Sequence, residues 1–240
     1  MIFLHSDLIG EDNLLFLTLM ASTVFALLVG VGFHEFCHAF VAHSLGDRTP
    51  QSQGRVTLNP LAHLDPLGTV MMLFIGFGWG KPVQFNPYNL KASPKTATLL
   101  VAAAGPVSNF VAAFVLALPI QLDLVPYVNP FTTRILAVET GEEYLGLFLT
   151  AAVYLSIILG VFNLIPLEPL DGFKVALGVL PNDLAYEYSK LRQYGAGPFI
   201  LLVFGIPFIT GYLFGEVYSP LADIMYPTAR WLLETFTGVT

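Results

Sequence analysis

The residues His34-Glu35-Phe36-Cys37-His38 form an HExxH sequence. On a helix its two histidines stand one turn apart on one face, where neutral imidazole nitrogens can grip a single zinc ion. Glu35 then lies beside a metal-bound water and can take its proton, a combination suited to hydrolysing peptide bonds. Two histidines leave such a centre incomplete, because catalytic zinc takes three protein ligands and keeps one position open. Asp171 is the best candidate for the third ligand, since it follows a broken apolar stretch, Asn163-Leu164-Ile165-Pro166-Leu167-Glu168-Pro169-Leu170-Asp171-Gly172. Asn109 adds a neutral hydrogen-bond donor able to steady a developing oxyanion.

The elements that must position these residues read as membrane helices. Residues 14–33 are almost uninterruptedly apolar and supply about the 20 residues needed to cross a hydrocarbon core. The pattern continues past His38 to Leu45, with Gly46-Asp47 as a helix stop, which gives a first span at about 14–45. Further spans are expected at about 96–120, interrupted by Gly105-Pro106, at about 145–164, and at 197–214 with Pro207 as a kink. Pro166 and Pro169 remove two backbone donors after the third span. Such a break is tolerated at membrane depth only where the chain is buried in protein or lines a wet cavity, and a carboxylate beside it is a functional-site candidate.

Residues 51–90 connect the first two spans. Within them Gln51 to Leu61 suits a short strand or hairpin. Leu67 to Trp79, 13 residues and too short to cross, suits a re-entrant or surface-embedded segment, and Lys81 to Pro87 suits extended chain. Leu221 to Phe236, with charges at Asp223, Arg230 and Glu234, suits an interfacial helix. The expected fold class is an all-α polytopic membrane protein. Three core transmembrane helices carry the zinc site, joined by a re-entrant segment with a short β-hairpin or extended region, a fourth span and a C-terminal interfacial helix. All of it forms one membrane-embedded domain over 1–240.

Composition agrees with this reading. Hydrophobic residues make up 55% and charged residues 11%, with a mean hydropathy of +0.70, against about 25% charged in soluble domains. The net charge of −7 comes from acidic residues scattered among loops, with no polybasic run, so a lipid bilayer and no nucleic acid is the expected partner. The single cysteine, Cys37, excludes an intramolecular disulfide and a thiolate-rich zinc site. Met1 to His5 lacks Lys and Arg and no cleavage pattern follows, so no removable signal peptide is expected. Lys and Arg number none before the first span, five from Leu45 to Lys95, one (Arg134) after the second span, and three (Lys174, Lys190, Arg192) after the third. The positive-inside rule puts the N-terminus outside and the active site towards the cytoplasm.

HEFCHA on the first helix, GPVSN on the second and NLIPLEPLDG closing the third resemble the signature of the site-2 protease family of intramembrane zinc metalloproteases. LNPLAHLDPLGT and GFGWGKPV resemble its short members without a PDZ or CBS domain, and the similarity covers roughly Val31 to Lys174. The resemblance implies one zinc ion per chain held by His34, His38 and Asp171, Glu35 as catalytic base and Asn109 as its helper. It further implies a transmembrane-helix substrate and a multi-pass protein of a prokaryotic cell membrane. Cys37 stands where many relatives have glycine, and Glu168 where proline is common.

Other polar residues have plainer roles. His43 lies nine residues from His34, about 180° round a helix, and so faces away from the metal. His63 and Asp65 sit in a turn-rich loop and read as structural, Cys37 as a small packing residue, and Glu168 as a loop charge. Trp79, Tyr127, Tyr218 and Trp231 read as interface anchors. Two rivals to an intramembrane endopeptidase remain, a catalytically dead zinc-binding scaffold and a small ion transporter; the absence of a repeat of the HExxH half counts against the latter. The segment around Val83 to Phe85 is expected to pair with an unwound substrate by edge addition.

Overall fold

The computed structural model describes residues 12–75, 78–131 and 138–239. Residues 1–11 and Arg134, which entered the charge count, lie outside these. In chain order the helices are α1 (Asn13–Ser44), α2 (Thr49–Ser52), α3 (Pro66–Ile75), α4 (Pro94–Gln121) and α5 (Gly141–Asn163). They continue with α6 (Asp171–Val179), α7 (Asn182–Ser189), α8 (Gly197–Phe214) and α9 (Pro220–Thr237). Helices α1, α4, α5 and α8 are long and apolar enough to cross a membrane.

The three longest helices start at caps written in the sequence. Asp12 accepts the Leu15 N–H at 2.9 Å, and Ser93 accepts the Thr96 N–H at 3.2 Å with Pro94 in the first turn. Thr140 and Glu143 close a capping box at the start of α5. In lipid, apolar burial gives helices little drive to associate, so contact depends on small residues and internal hydrogen bonds. Gly30 of α1 lies against Leu159, Gly160 of α5 receives the Phe110 ring, and the Ser22 hydroxyl donates to the Phe148 carbonyl at 2.9 Å.

Helices α1 and α5 run parallel, with Leu15 and Leu19 beside Leu147 and Ala151. Helix α4 runs against them, with Ala97 and Val101 beside Ala42 near the end of α1. The HExxH residues, the first half of α4 and the break after α5 therefore share one end of the bundle.

Two expectations are corrected. Gln51 to Leu61 forms no strand or hairpin: α2, a turn at Gly54 (φ 68°) and a 3-10 turn over Pro60–Ala62 occupy it. Pro50 and Pro60 fix helical φ in the first turns, and the Asn59 side chain caps the Leu61 N–H at 3.1 Å, so local turn chemistry outweighs the β-branched residues. Among the described residues the β pairing is a single bridge, Leu64 to Gly80. It closes the base of α3, which rises about 15 Å for its 10 residues before the chain returns. The second correction concerns α9. Its four-residue stripe of Leu221, Met225, Ala229 and Leu233 is buried, with Ala229 and Leu233 against Ala113, Ala117, Val153 and Ile157. Its apolar face is therefore covered by α4 and α5 and is not free to lie on lipid.

Helix α8 differs from the core spans. Only 6% of its apolar window is buried within the chain. Phe199, at its start, is fixed against Phe162 with ring centroids 5.8 Å apart, and a π-helical turn over Leu201–Gly205 precedes Pro207.

Candidate metal centre

The turn spacing of His34 and His38 puts both imidazoles on the face of α1 that meets α4. Both are buried, as is Asp171 in the first turn of α6. His34 Nε2 and His38 Nε2 stand 3.0 Å apart, and Asp171 Oδ2 lies 3.1 Å from the first and 2.8 Å from the second. Ligand atoms of a tetrahedral zinc with bonds of 2.0–2.1 Å stand about 3.3 Å apart, so the triangle is close to the required size. His38 Nδ1 lies 2.6 Å from the Val101 carbonyl, which can only accept, so Nδ1 carries the hydrogen and Nε2 presents its lone pair to the centre. Two imidazoles and a carboxylate are catalytic zinc ligands. Three such atoms turned on one another in a buried space fit a cation.

Asp171 does not act as a helix cap. The cap position of α6 is Leu170, and no side-chain bond closes it. Lys174 Nζ lies 3.4 Å from Asp171 Oδ1, leaving Oδ2 for the histidines. Burial pushes the Asp171 carboxyl up, and when the two imidazoles are protonated their hydrogen bonds and charge outweigh it and hold the group well below the usual carboxylate range. The break delivers Asp171 to this point because Gly172 lies against the Leu164 and Ile165 carbonyls, where a side chain has no room. Tyr188 donates to the Pro166 carbonyl and Arg192 Nε pairs with Glu168 at 3.2 Å, so α7 and the turn after it brace the same segment.

Glu35 stands outside the triangle. Its Oε2 accepts the Val83 N–H at 3.1 Å, which lays the extended chain from Lys81 to Asn86 across the HExxH helix. An apolar cleft of about 290 Å³ opens on the neighbouring face of α1, between Gly32, Phe36 and the Leu58–Pro60 loop. Asn109 is 1% exposed, and neither its amide nitrogen nor its oxygen has a hydrogen-bond partner among the described residues. It lies one turn beyond Gly105, whose added Cβ would collide with Nε2 of both His34 and His38.

The sequence profile of peptidase family M50 matches residues 22–187. The chain belongs to this family, the site-2 protease family of intramembrane zinc metalloproteases. The Bacillus subtilis (strain 168) protein "Putative zinc metalloprotease YwhC" is 38% identical over 187 residues, covering 78% of this chain and 81% of the relative. "Putative zinc metalloprotease Rip2" of Mycobacterium tuberculosis (strain ATCC 25618 / H37Rv) is 29% identical over 197 residues, 80% of this chain and 69% of the relative. No solved structure matches the chain significantly.

The M50 match covers His34, Glu35, His38, Asn109 and Asp171 but ends before α8 and α9. Within this M50 peptidase, the other acid and imidazole groups near the motif are engaged elsewhere. His63 is fully buried, with Nε2 2.9 Å from the Thr57 carbonyl, and Asp65 Oδ1 caps the Gly68 N–H at 2.9 Å. His43 and Cys37 are half-buried and outside the His34, His38 and Asp171 group. Sequence reasoning missed Gly105 as the space above the histidines. Only its adjacency to Pro106 in an alanine-rich helix hinted at a close approach. It also missed the Val83 contact to Glu35, which joins residues 48 positions apart.

Proposed function

We propose that the chain hydrolyses a peptide bond in or near a transmembrane helix of a membrane-protein substrate, with one zinc ion per chain held by His34, His38 and Asp171. The reading is carried by the buried convergence of these three groups inside a bundle of membrane-length helices. An ion held there supplies Lewis acidity, which makes a bound water nucleophilic near neutral pH. Glu35 takes the proton of the attacking water and returns it to the leaving amine. Asn109, buried and unpartnered, donates to the carbonyl oxygen as that atom gains charge.

The substrate helix unwinds locally, because a helical peptide bond is shielded and already hydrogen-bonded. An edge exists to receive it. The Lys81 and Val83 N–H groups bond the His63 carbonyl and Glu35, whereas the exposed Gln84 makes no backbone hydrogen bond among the described residues and leaves its N–H and carbonyl for edge addition. Water reaches the centre past the break between Pro166 and Asp171. The distribution of Lys and Arg supports a cytoplasmic position for that opening.

The test is incubation of the purified protein in detergent with a single-span test substrate. Wild type cleaves it, and Glu35→Gln lowers the rate at least about 100-fold, the scale of general acid–base catalysis. No cleavage by wild type, or equal cleavage by Glu35→Gln, sinks the reading and leaves a metal-binding scaffold.

A further inference from the structure

Asp47 follows α1 and is fully buried, yet among the described residues no cation partners it. Its Oδ1 accepts the Thr49 N–H at 3.0 Å, the Thr49 hydroxyl at 2.7 Å and the Asn89 amide at 3.2 Å. Its Oδ2 accepts the Asn86 N–H at 2.6 Å. The first oxygen thus closes the local turn into α2, which a neutral Asn or Ser also does. The second reaches 39 positions along the chain to the extended segment, and that bond gives the residue its second job.

The segment is tied down at three points. Its start is fixed by Lys81 N–H to the His63 carbonyl at 2.7 Å, and its middle by Val83 N–H to Glu35 at 3.1 Å. Its end is fixed by Asn86 N–H to Asp47, with Lys91 N–H on the Leu45 carbonyl at 2.8 Å just beyond. Lys81, Val83 and Phe85 are half-buried, while Pro82, Gln84 and Asn86 are exposed. A slip of one residue would invert that alternation and remove the N–H from Glu35. Register is therefore set at the ends, and Asp47 is the end anchored to the same helix that carries Glu35.

We propose that Asp47 is a positioning residue for the reaction: it holds the extended segment in register across Glu35, and so acts on substrate engagement without touching substrate or metal. This rests on the roles given above to Glu35 and to the segment. Asp47→Asn is a selective probe. Its one remaining oxygen serves the Thr49 and Asn89 donors, and its new amide opposes the Asn86 N–H, which breaks only the long-range tie. Asn89→Ala removes one donor from Oδ1 and leaves the Asn86 bond in place.

The full chain in detergent, with a single-span test substrate, is assayed for kcat and KM, zinc content and backbone hydrogen exchange. For Asp47→Asn, KM rises about tenfold, kcat stays within about twofold and zinc content is unchanged. Exchange quickens in peptides covering 81–86 and not in α4 or α5. For Asn89→Ala, which keeps the Asn86 bond, KM stays within about twofold of wild type. An unchanged KM, a fall in kcat accompanied by zinc loss, or unchanged exchange over 81–86 overturns the proposal. If Asp47→Asn does not fold, Asp47→Ser, which keeps the local turn and cannot reach the Asn86 N–H, decides, and an unchanged KM there overturns the proposal. If wild type cleaves nothing, the protease reading fails on its own, and the exchange arm still decides whether Asp47 orders the segment.

Discussion

His34, His38 and Asp171 share their residue types with His63 and Asp65, yet the two groups have opposite fates. In the second group the local backbone engages one polar atom of each side chain: His63 Nε2 pairs with the Thr57 carbonyl and Asp65 Oδ1 accepts the Gly68 N–H. In the first, the atoms that could bind a metal face each other across α1, α4 and α6, and what the backbone supplies is orientation, through the Val101 carbonyl on His38 Nδ1. A turn satisfies its own side chains within a few residues. The imidazoles on the buried face of α1 instead meet other elements, the Val101 carbonyl of α4 and Asp171 of α6. Convergence of elements, more than residue type, separates the candidate metal centre from the turn.

Three substitutions break or sharpen the contrast. His34→Ala should have the largest effect, abolishing both cleavage and bound zinc, measured by elemental analysis of the purified protein. Gly105→Ala should come next. Its methyl group intrudes on both imidazoles, and overpacking of about 1–3 kcal/mol corresponds to roughly 5- to 160-fold weaker zinc binding in a chelator competition. His63→Ala should have the smallest effect on chemistry. Zinc content stays at the wild-type value, while the unpaired Thr57 carbonyl and lost burial lower stability by about 1–3 kcal/mol, read as a drop in Tm. Zinc loss in His63→Ala with the fold intact would merge the two groups and remove the distinction.

Much of the site was legible before the fold. The HExxH spacing put two candidate ligands on one helix face, and the prolines at 166 and 169 marked a break of the kind that membrane helices tolerate only inside protein or beside a wet cavity. Span positions followed from apolar length. Less legible was whatever depends on contact between distant segments. Val56 and Thr57 of the 51–61 stretch suggested strand, but prolines and Asn59 set the backbone locally. The apolar stripe of α9 was visible, though which surface covers it was not, since lipid and a neighbouring helix present the same chemistry to that stripe. Gly46-Asp47 read as a helix stop, which is correct for Oδ1 and silent about the Asn86 bond to Oδ2. Asn109 stood out as a polar residue on a membrane helix, and its burial without a partner is what distinguishes it from an interhelical hydrogen-bonding residue.

The central claim is that a break in one membrane helix delivers Asp171 to complete a centre begun by two histidines on another. Zinc-edge X-ray absorption on the full chain in detergent, for wild type and Asp171→Ala, tests it most directly. Wild type is expected to show nitrogen and oxygen scatterers at about 2.0–2.2 Å with no sulfur, and Asp171→Ala to lose its zinc. A sulfur scatterer, which would bring in Cys37, or an unaltered zinc spectrum in Asp171→Ala, would contradict it.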